Sequence, residues 1–154
     1  MNTKFLKDNF IHYEKDDFYK RRNNVLVTKK NMKYEFGFMI QKILNKQIAD
    51  IPKDDWECNW DYTRRYNEGD DQKEYCVCTH DIYNLCFIIY KPYSLCLQVG
   101  IDCVKKINNK ELYKSLQEFF REKLKKKKEK KLKEELEKIS QPLITDFFHK
   151  IPKN

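Results

Sequence analysis

An α+β domain followed by a long charged helix is the architecture this sequence predicts, on three observations. Residues 84–90 (NLCFIIY) and 95–101 (LCLQVGI) are apolar, β-rich runs joined by Lys91-Pro92-Tyr93-Ser94, the composition of a β-hairpin. Between Lys33 and Ile48 the apolar residues Phe36, Met39, Ile40, Ile43, Leu44 and Ile48 repeat at the spacing of one helical face. From Asn108 to Ile139 a second helical pattern passes from an apolar face into a run of lysines. The chain of 154 residues is long enough for one modest domain with an extension. It divides into a globular domain over 1–107, a helix over 108–139 and a terminal peptide over 140–154.

Taken from the N-terminus, Lys4 to Lys20 carries Phe5, Leu6, Phe10, Ile11, Tyr13, Phe18 and Tyr19 without a clean period and reads as partly helical. Val25-Leu26-Val27-Thr28 is a short strand, and the helix that follows is closed by Pro52. Residues 49–74 form an irregular or helical segment pinned by Trp56 and Trp60 as core anchors, ending in the turn-like Asn67-Glu68-Gly69-Asp70-Asp71. After the hairpin, Asn108 or Asn109 caps a helix with Glu111 in its first turn. Leu112, Leu116, Phe119, Phe120 and Leu124 line the face that packs on the hairpin. Lys125 to Lys131 offers nothing to bury, so the helix leaves the globule there. Leu132, Leu136 and Ile139 resume a thin stripe until Ser140 and Pro142 stop the helix.

Several function classes are excluded by composition. Gly37, Gly69 and Gly100 are the only glycines, too few for a nucleotide-cradling loop, so Walker and dinucleotide folds are out. No apolar run approaches the roughly 18 residues of a membrane span, and residues 1–10 lack the pattern of a signal peptide. The expectation is an intracellular protein without membrane contact. The net charge of +8 is unevenly spread: residues 1–49 and 108–154 are each strongly basic, whereas residues 50–81 are acidic. Any DNA contact should therefore come from the N-terminal third or from the lysines of the C-terminal helix, Lys125, Lys126, Lys127, Lys128, Lys130 and Lys131, and be independent of sequence. A solvated helix face or a nuclear import signal are the other uses of such a run.

Six cysteines in an intracellular chain argue for metal binding or plain burial rather than a disulfide scaffold. Cys76-Val77-Cys78-Thr79-His80 places three ligands within five residues before the hairpin, and Cys103 follows it at the mouth of a helix. Zinc takes four such ligands in a tetrahedron, so Cys76, Cys78, His80 and Cys103 are the expected set for a structural Zn2+, with Cys86 the substitute for His80. Cys58 and Cys96 are core or incidental residues. No base sits near these thiols in sequence, His12 and His149 belonging to unrelated segments, so no catalytic residues are assigned.

The order of ligand turn, hairpin and ligand after Gly100 resembles a treble-clef zinc module, here over residues 75–107. That fold supplies CxxC at the turn and a ligand pair at the helix; this chain has CxC and Cys103 alone. The segment from Asp55-Trp56 through Tyr75–Ile82, Phe87–Tyr90 and Val99-Gly100-Ile101-Asp102-Cys103-Val104 also resembles small uncharacterised proteins of giant nucleocytoplasmic DNA viruses. Those carry a tryptophan, a CxC turn, a hairpin and Gly-x-x-Cys-Ile/Val, over about a third of the present chain. The resemblance implies a viral protein with a metal site and no particular activity.

Gln141-Pro-Leu-Ile144-Thr145-Asp146-Phe147-Phe148 matches Gln-x-x-aliphatic-x-x-aromatic-aromatic at each defined position. It resembles the PIP box, the peptide by which replication and repair proteins bind PCNA-type sliding clamps. Positions i, i+3 and i+4 fall on one side of a helical turn, so Ile144, Phe147 and Phe148 form an apolar plug. The resemblance implies that the plug fills a hydrophobic clamp pocket and that Gln141 hydrogen-bonds in a separate one. Lys150 and Lys153 match the basic residues that often follow. Thr145-Asp146 also matches the variant that acts as a clamp-dependent degron, although Pro152 stands where that variant has its basic residue.

These readings converge on a non-enzymatic, clamp-binding accessory protein of DNA replication, DNA repair or clamp-coupled transcription, acting in the nucleus or a viral replication compartment. The alternatives are a small clamp-recruited enzyme, either a nuclease or a ubiquitin-system adaptor, and a competitive clamp inhibitor. A nuclease needs grouped carboxylates, and Asp54, Asp55, Asp61, Asp70 and Asp71 follow no recognisable nuclease spacing.

Overall fold

Two adjacent apolar strands, β6 (Asn84–Tyr90) and β7 (Leu95–Val99), form the hairpin around which the domain is built. They pair antiparallel from Cys86↔Val99 to Tyr90↔Leu95, and Ser94 turns the chain at φ 49°. The computed structural model describes residues 3–10, 25–29, 34–66 and 73–150, side chains being described as far as residue 139. It divides into two units, 1–120 and 121–154.

In the first unit, β1 (Val25–Leu26) runs parallel to β7, and β2 (Trp56–Cys58) and β3 (Arg64–Arg65) both pair antiparallel with β6. A separate two-stranded ribbon joins β4 (Glu74–Tyr75) to β5 (Asp81–Ile82). The architecture is α+β with a mixed sheet. Helix α1 (Thr3–Asn9) covers the first part of the partly helical segment expected from sequence; residues 11–20 lie outside the described residues. Helix α2 (Phe36–Leu44) buries Phe36, Met39, Ile40, Ile43 and Leu44, the face read from its spacing. It ends earlier than Pro52, because Asn45 adopts the left-handed conformation at φ 57° and donates its N–H to Gln41. An Asn in this conformation is a helix stop in its own right. Ile48 follows in a 3₁₀ turn.

The segment expected to be irregular or helical does hold a 3₁₀ turn at Lys53–Asp55 and turns at 60–62, but also the short strands β2 and β3, and only one of its tryptophans is a core anchor. Trp56 is buried against Tyr90, at 5.2 Å between ring centroids. Trp60 is 43% exposed, its ring beside Phe119, because β2 ends at Cys58 and residues 60–62 turn at the surface. The turn at 67–71 lies outside the described residues.

After the short helix α3 (Ile101–Val104), α4 runs from Lys110 to Lys150. Its cap is Asn109, whose Oδ1 accepts the Leu112 N–H at 3.0 Å. Leu116 and Phe120 are buried, with Leu112 and Phe119 packed beside them. Leu124 is exposed, so the packed face closes at Phe120. In the second unit every side chain from 121 to 139 is exposed, including Leu132, Leu136 and Ile139. The helix does not stop at Ser140 or Pro142. A proline deletes one internal hydrogen bond, which a helix already formed on both sides can lose without ending.

Candidate metal centre

The turn between β4 and β5 is a knuckle of five residues that carries Cys76, Cys78 and His80. It is closed by Cys76 N–H to the His80 carbonyl at 2.9 Å and by Thr79 N–H to the Cys76 carbonyl at 2.7 Å. Thr79 takes φ 81°, a left-handed conformation unusual for a β-branched residue, and this reversal tightens the knuckle. Strand β7 supplies the anchor. Gln98, buried in an otherwise apolar strand, donates from Nε2 to Glu74 Oε2 at 2.9 Å and to the Tyr75 carbonyl at 3.0 Å. Its own carbonyl accepts the Val77 N–H at 2.9 Å, and the buried Thr28 hydroxyl donates to the Cys76 carbonyl at 3.0 Å.

The third sulfur comes from α3, whose start is shaped by a close approach. A Cβ at Gly100 would lie 2.7 Å from Ile82 Cγ2, so only glycine lets β5 sit against the entrance to α3. Cys103 is the third residue of that helix, its N–H bonded to the Gly100 carbonyl at 3.1 Å. The knuckle and the helix thereby bring Cys76, Cys78 and Cys103 together, three buried residues whose sulfurs lie within 4.8 Å of one another. Cys103 Sγ is 3.5 Å from Cys76 Sγ and 3.4 Å from Cys78 Sγ. Tetrahedral thiolates around zinc, with bonds of about 2.3 Å, stand about 3.8 Å apart. Both distances from Cys103 are within a few tenths of an ångström of that spacing. Three buried cysteines so arranged can hold a metal ion.

Their proton affinities are split in the way a shared thiol cluster requires. Hydrogen bonds from Cys103 and Cys76 hold Cys78 well below the usual thiol range, so it is the first of the three to ionise. Burial pushes Cys76 up to about 12, and hydrogen bonding to Cys76 and Cys78 pushes Cys103 up as well. A dication removes this conflict by stabilising all three thiolates together.

Of the expected ligands, His80 is placed differently. Its Nδ1 is 3.1 Å from Cys78 Sγ, but it falls outside the group of mutually close ligand atoms. His80 is exposed. Cys86, the substitute, is fully buried in β6 and also outside the group; burial raises its pKa. Burial likewise pushes Cys58 up to about 11 and Cys96 up to about 12. Cys58 faces the Thr63 hydroxyl at 3.3 Å, and Cys96 packs with Leu85 and Phe87. Gln98 and Thr28 were not singled out by sequence reasoning. The signal for Gln98 was available: a lone amide inside the run LCLQVGI has to find partners when buried.

The remaining expected sites lie on α4. Lys125, Lys126, Lys127, Lys128, Lys130 and Lys131 are exposed on its second-unit portion. Gln141, Ile144, Thr145, Asp146, Phe147 and Phe148 fall within the helical backbone, and their side chains lie outside the described residues, as does the whole of Lys153. No helix among the described residues is long and apolar enough to cross a membrane. Comparison of the chain with protein-family models, with curated proteins and with solved structures gave no match.

Proposed function

We propose that this protein is a non-enzymatic accessory of DNA replication, repair or clamp-coupled transcription, in which a zinc-stabilised domain is joined through a charged helix to a peptide that binds a PCNA-type sliding clamp. The observation that carries the clamp reading is the run Gln141 to Phe148, which meets the clamp-binding pattern at each defined position. It follows a helical stretch, 121–139, that is exposed throughout. Adjacent phenylalanines beyond such a stretch are the composition of an interaction site.

Zinc is the metal this reading assigns to the triad. Thiolates are soft ligands, and sulfur-rich tetrahedral sets favour zinc over calcium, magnesium or manganese. The origin of the three ligands in the knuckle and α3 supports a treble-clef-like role for the metal, holding the two together. The lysines from Lys125 to Lys131 are assigned to sequence-independent contact with DNA near the clamp. The nuclease alternative gains nothing: Asp54, Asp55 and Asp61 form no three-ligand group, and Asp70 and Asp71 lie outside the described residues.

Direct binding to a PCNA-type clamp tests the reading, using the full chain, a Ser140–Asn154 peptide and a full-length Phe147→Ala/Phe148→Ala variant. Binding by the first two and loss in the third supports it. No binding by the full chain, or equal binding by the variant, overturns it.

A further inference from the structure

The triad forms the floor of a cavity of about 480 Å³ inside the first unit. Cys76, Cys78 and Cys103 all line it, and they are buried. Around them the lining includes His80, Asp102 and Lys106, which are exposed. The sulfurs are therefore reached from one side, through a space of the size that holds small ligands. Among the described residues no fourth Cys, His, Asp or Glu ligand atom lies close to all three sulfurs. Structural zinc sites are closed by four protein ligands, whereas sites with three keep a position for an outside donor.

We propose that the metal held by Cys76, Cys78 and Cys103 presents its fourth coordination position to this cavity, where it binds a neutral, monodentate nitrogen or oxygen donor from outside the domain. The inference rests on the metal reading above and extends it from a structural site to a ligand-binding one. Charge selects the class of donor. A dication with three thiolates carries one net negative charge, and Asp81 and Asp102 line the same cavity. Lys106 lines it too, and Lys73 reaches Asp81 at 3.6 Å, yet the set remains negative when both lysines are counted. An incoming anion meets repulsion that water or an imidazole does not. His80 is then a positioning residue, its Nδ1 against Cys78 Sγ, rather than a ligand.

Cobalt substitution of the full chain reads the coordination directly, because the visible bands of tetrahedral Co2+ move when a ligand changes. The wild-type protein and His80→Ala are each loaded with Co2+ and titrated with imidazole and with azide. The expected result is one Co2+ per chain in both, with bands that shift saturably with imidazole. Azide should require roughly tenfold more ligand or higher, the ratio for one like charge met in partly aqueous surroundings. Wild-type bands that neither probe moves would overturn the proposal, and sensitivity appearing only in His80→Ala would make His80 the fourth ligand. Azide binding tighter than imidazole would overturn the choice of a neutral donor. Failure of the wild-type chain to take up cobalt would overturn the metal reading itself, and this inference with it.

Discussion

Ile82 Cγ2 occupies the space into which any side chain at Gly100 would grow, 2.7 Å from the position of its Cβ. The contact joins β5, which ends the cysteine knuckle, to the entrance of α3, which carries Cys103. Gly100→Ala should therefore cost about 1–3 kcal/mol, the usual range for overpacking, and weaken metal retention as the knuckle and helix separate. Adding Ile82→Ala should restore part of the metal affinity by freeing that space. Thermal melts and competition with a chromogenic chelator measure both. An unchanged affinity in Gly100→Ala would show that Ile82 gives way freely and that the contact does not set the site.

Removing the metal, or one of its ligands, should have a different scale of effect from removing a core thiol. With zinc bound by the triad, the purified chain should carry about one zinc, and a strong chelator should abolish cooperative unfolding of the first unit, since structural metal binding is folding free energy in small domains. Cys103→Ser should behave like the chelated protein. Cys86→Ala deletes only a buried sulfur and should cost on the order of 1–2 kcal/mol, with metal content unchanged. Equal losses in the two variants, read by melting and by metal analysis, would put Cys86 in the site.

Much of this arrangement was legible because it depends on local patterns. The hairpin from Asn84 to Val99 shows as two apolar runs around a proline turn, α2 shows through the spacing of Phe36 to Leu44, and Asn109 is a cap with the residue type caps require. The thiol triad was legible because the knuckle and α3 flank that hairpin. What could not be read depends on partners distant in sequence. Arg64-Arg65 is a strand only because it pairs with Leu85 and Asn84, and nothing in two arginines announces a strand. Trp60 looked as much a core residue as Trp56, yet only Trp56 faces Tyr90 across the sheet. That His80 stays outside the mutually close group was not legible either, since the knuckle reverses at Thr79 in a left-handed conformation for which a β-branched residue gives no signal.

Alkaline pH should destabilise the domain through Cys96. Burial among Leu85 and Phe87 pushes this thiol from about 9 up to about 12, so the folded state keeps it protonated while the unfolded state ionises. Its contribution is complete below about pH 9 and is lost as pH rises towards 12, by up to about 1.4 kcal/mol for each pKa unit separating the states. Cys96→Ala gives up some packing at neutral pH but should show a shallower decline over this window. Urea titrations at several pH values measure it, and parallel curves for the two proteins would rule out the thiol as the cause.

Nucleic-acid binding, if it comes from the exposed lysines between Lys125 and Lys131, should be independent of sequence and fall steeply with salt. Each phosphate contact contributes a slope of about 0.9 in a plot of log affinity against log salt for duplex DNA. Changing all six lysines to glutamine should flatten that slope and weaken binding to every duplex alike. Binding that survives the change would move the contact surface to the basic residues of 1–49.

If the segment from Gln141 to Phe148 binds a PCNA-type clamp as proposed, it should show a hierarchy set by how each side chain interacts. Phe147 and Phe148 supply the largest apolar areas, so truncating either to alanine should cost about 2 kcal/mol or more in clamp affinity, with Ile144→Ala close behind. Gln141→Ala removes hydrogen bonds whose net value is about 0.5–1.5 kcal/mol, and should rank below them. Lys150→Ala and Lys153→Ala would act at the rim of the proposed contact, where charge governs encounter, and should change association rate and salt response more than dissociation. Because the packed face of α4 closes at Phe120, the Phe147→Ala/Phe148→Ala protein should melt at the same temperature as the wild type while losing the clamp. Binding assays on the single variants and a melt of the double variant test the whole set. A lower melting temperature in the double variant would mean that the two rings pack on the protein itself and are not held ready for a partner.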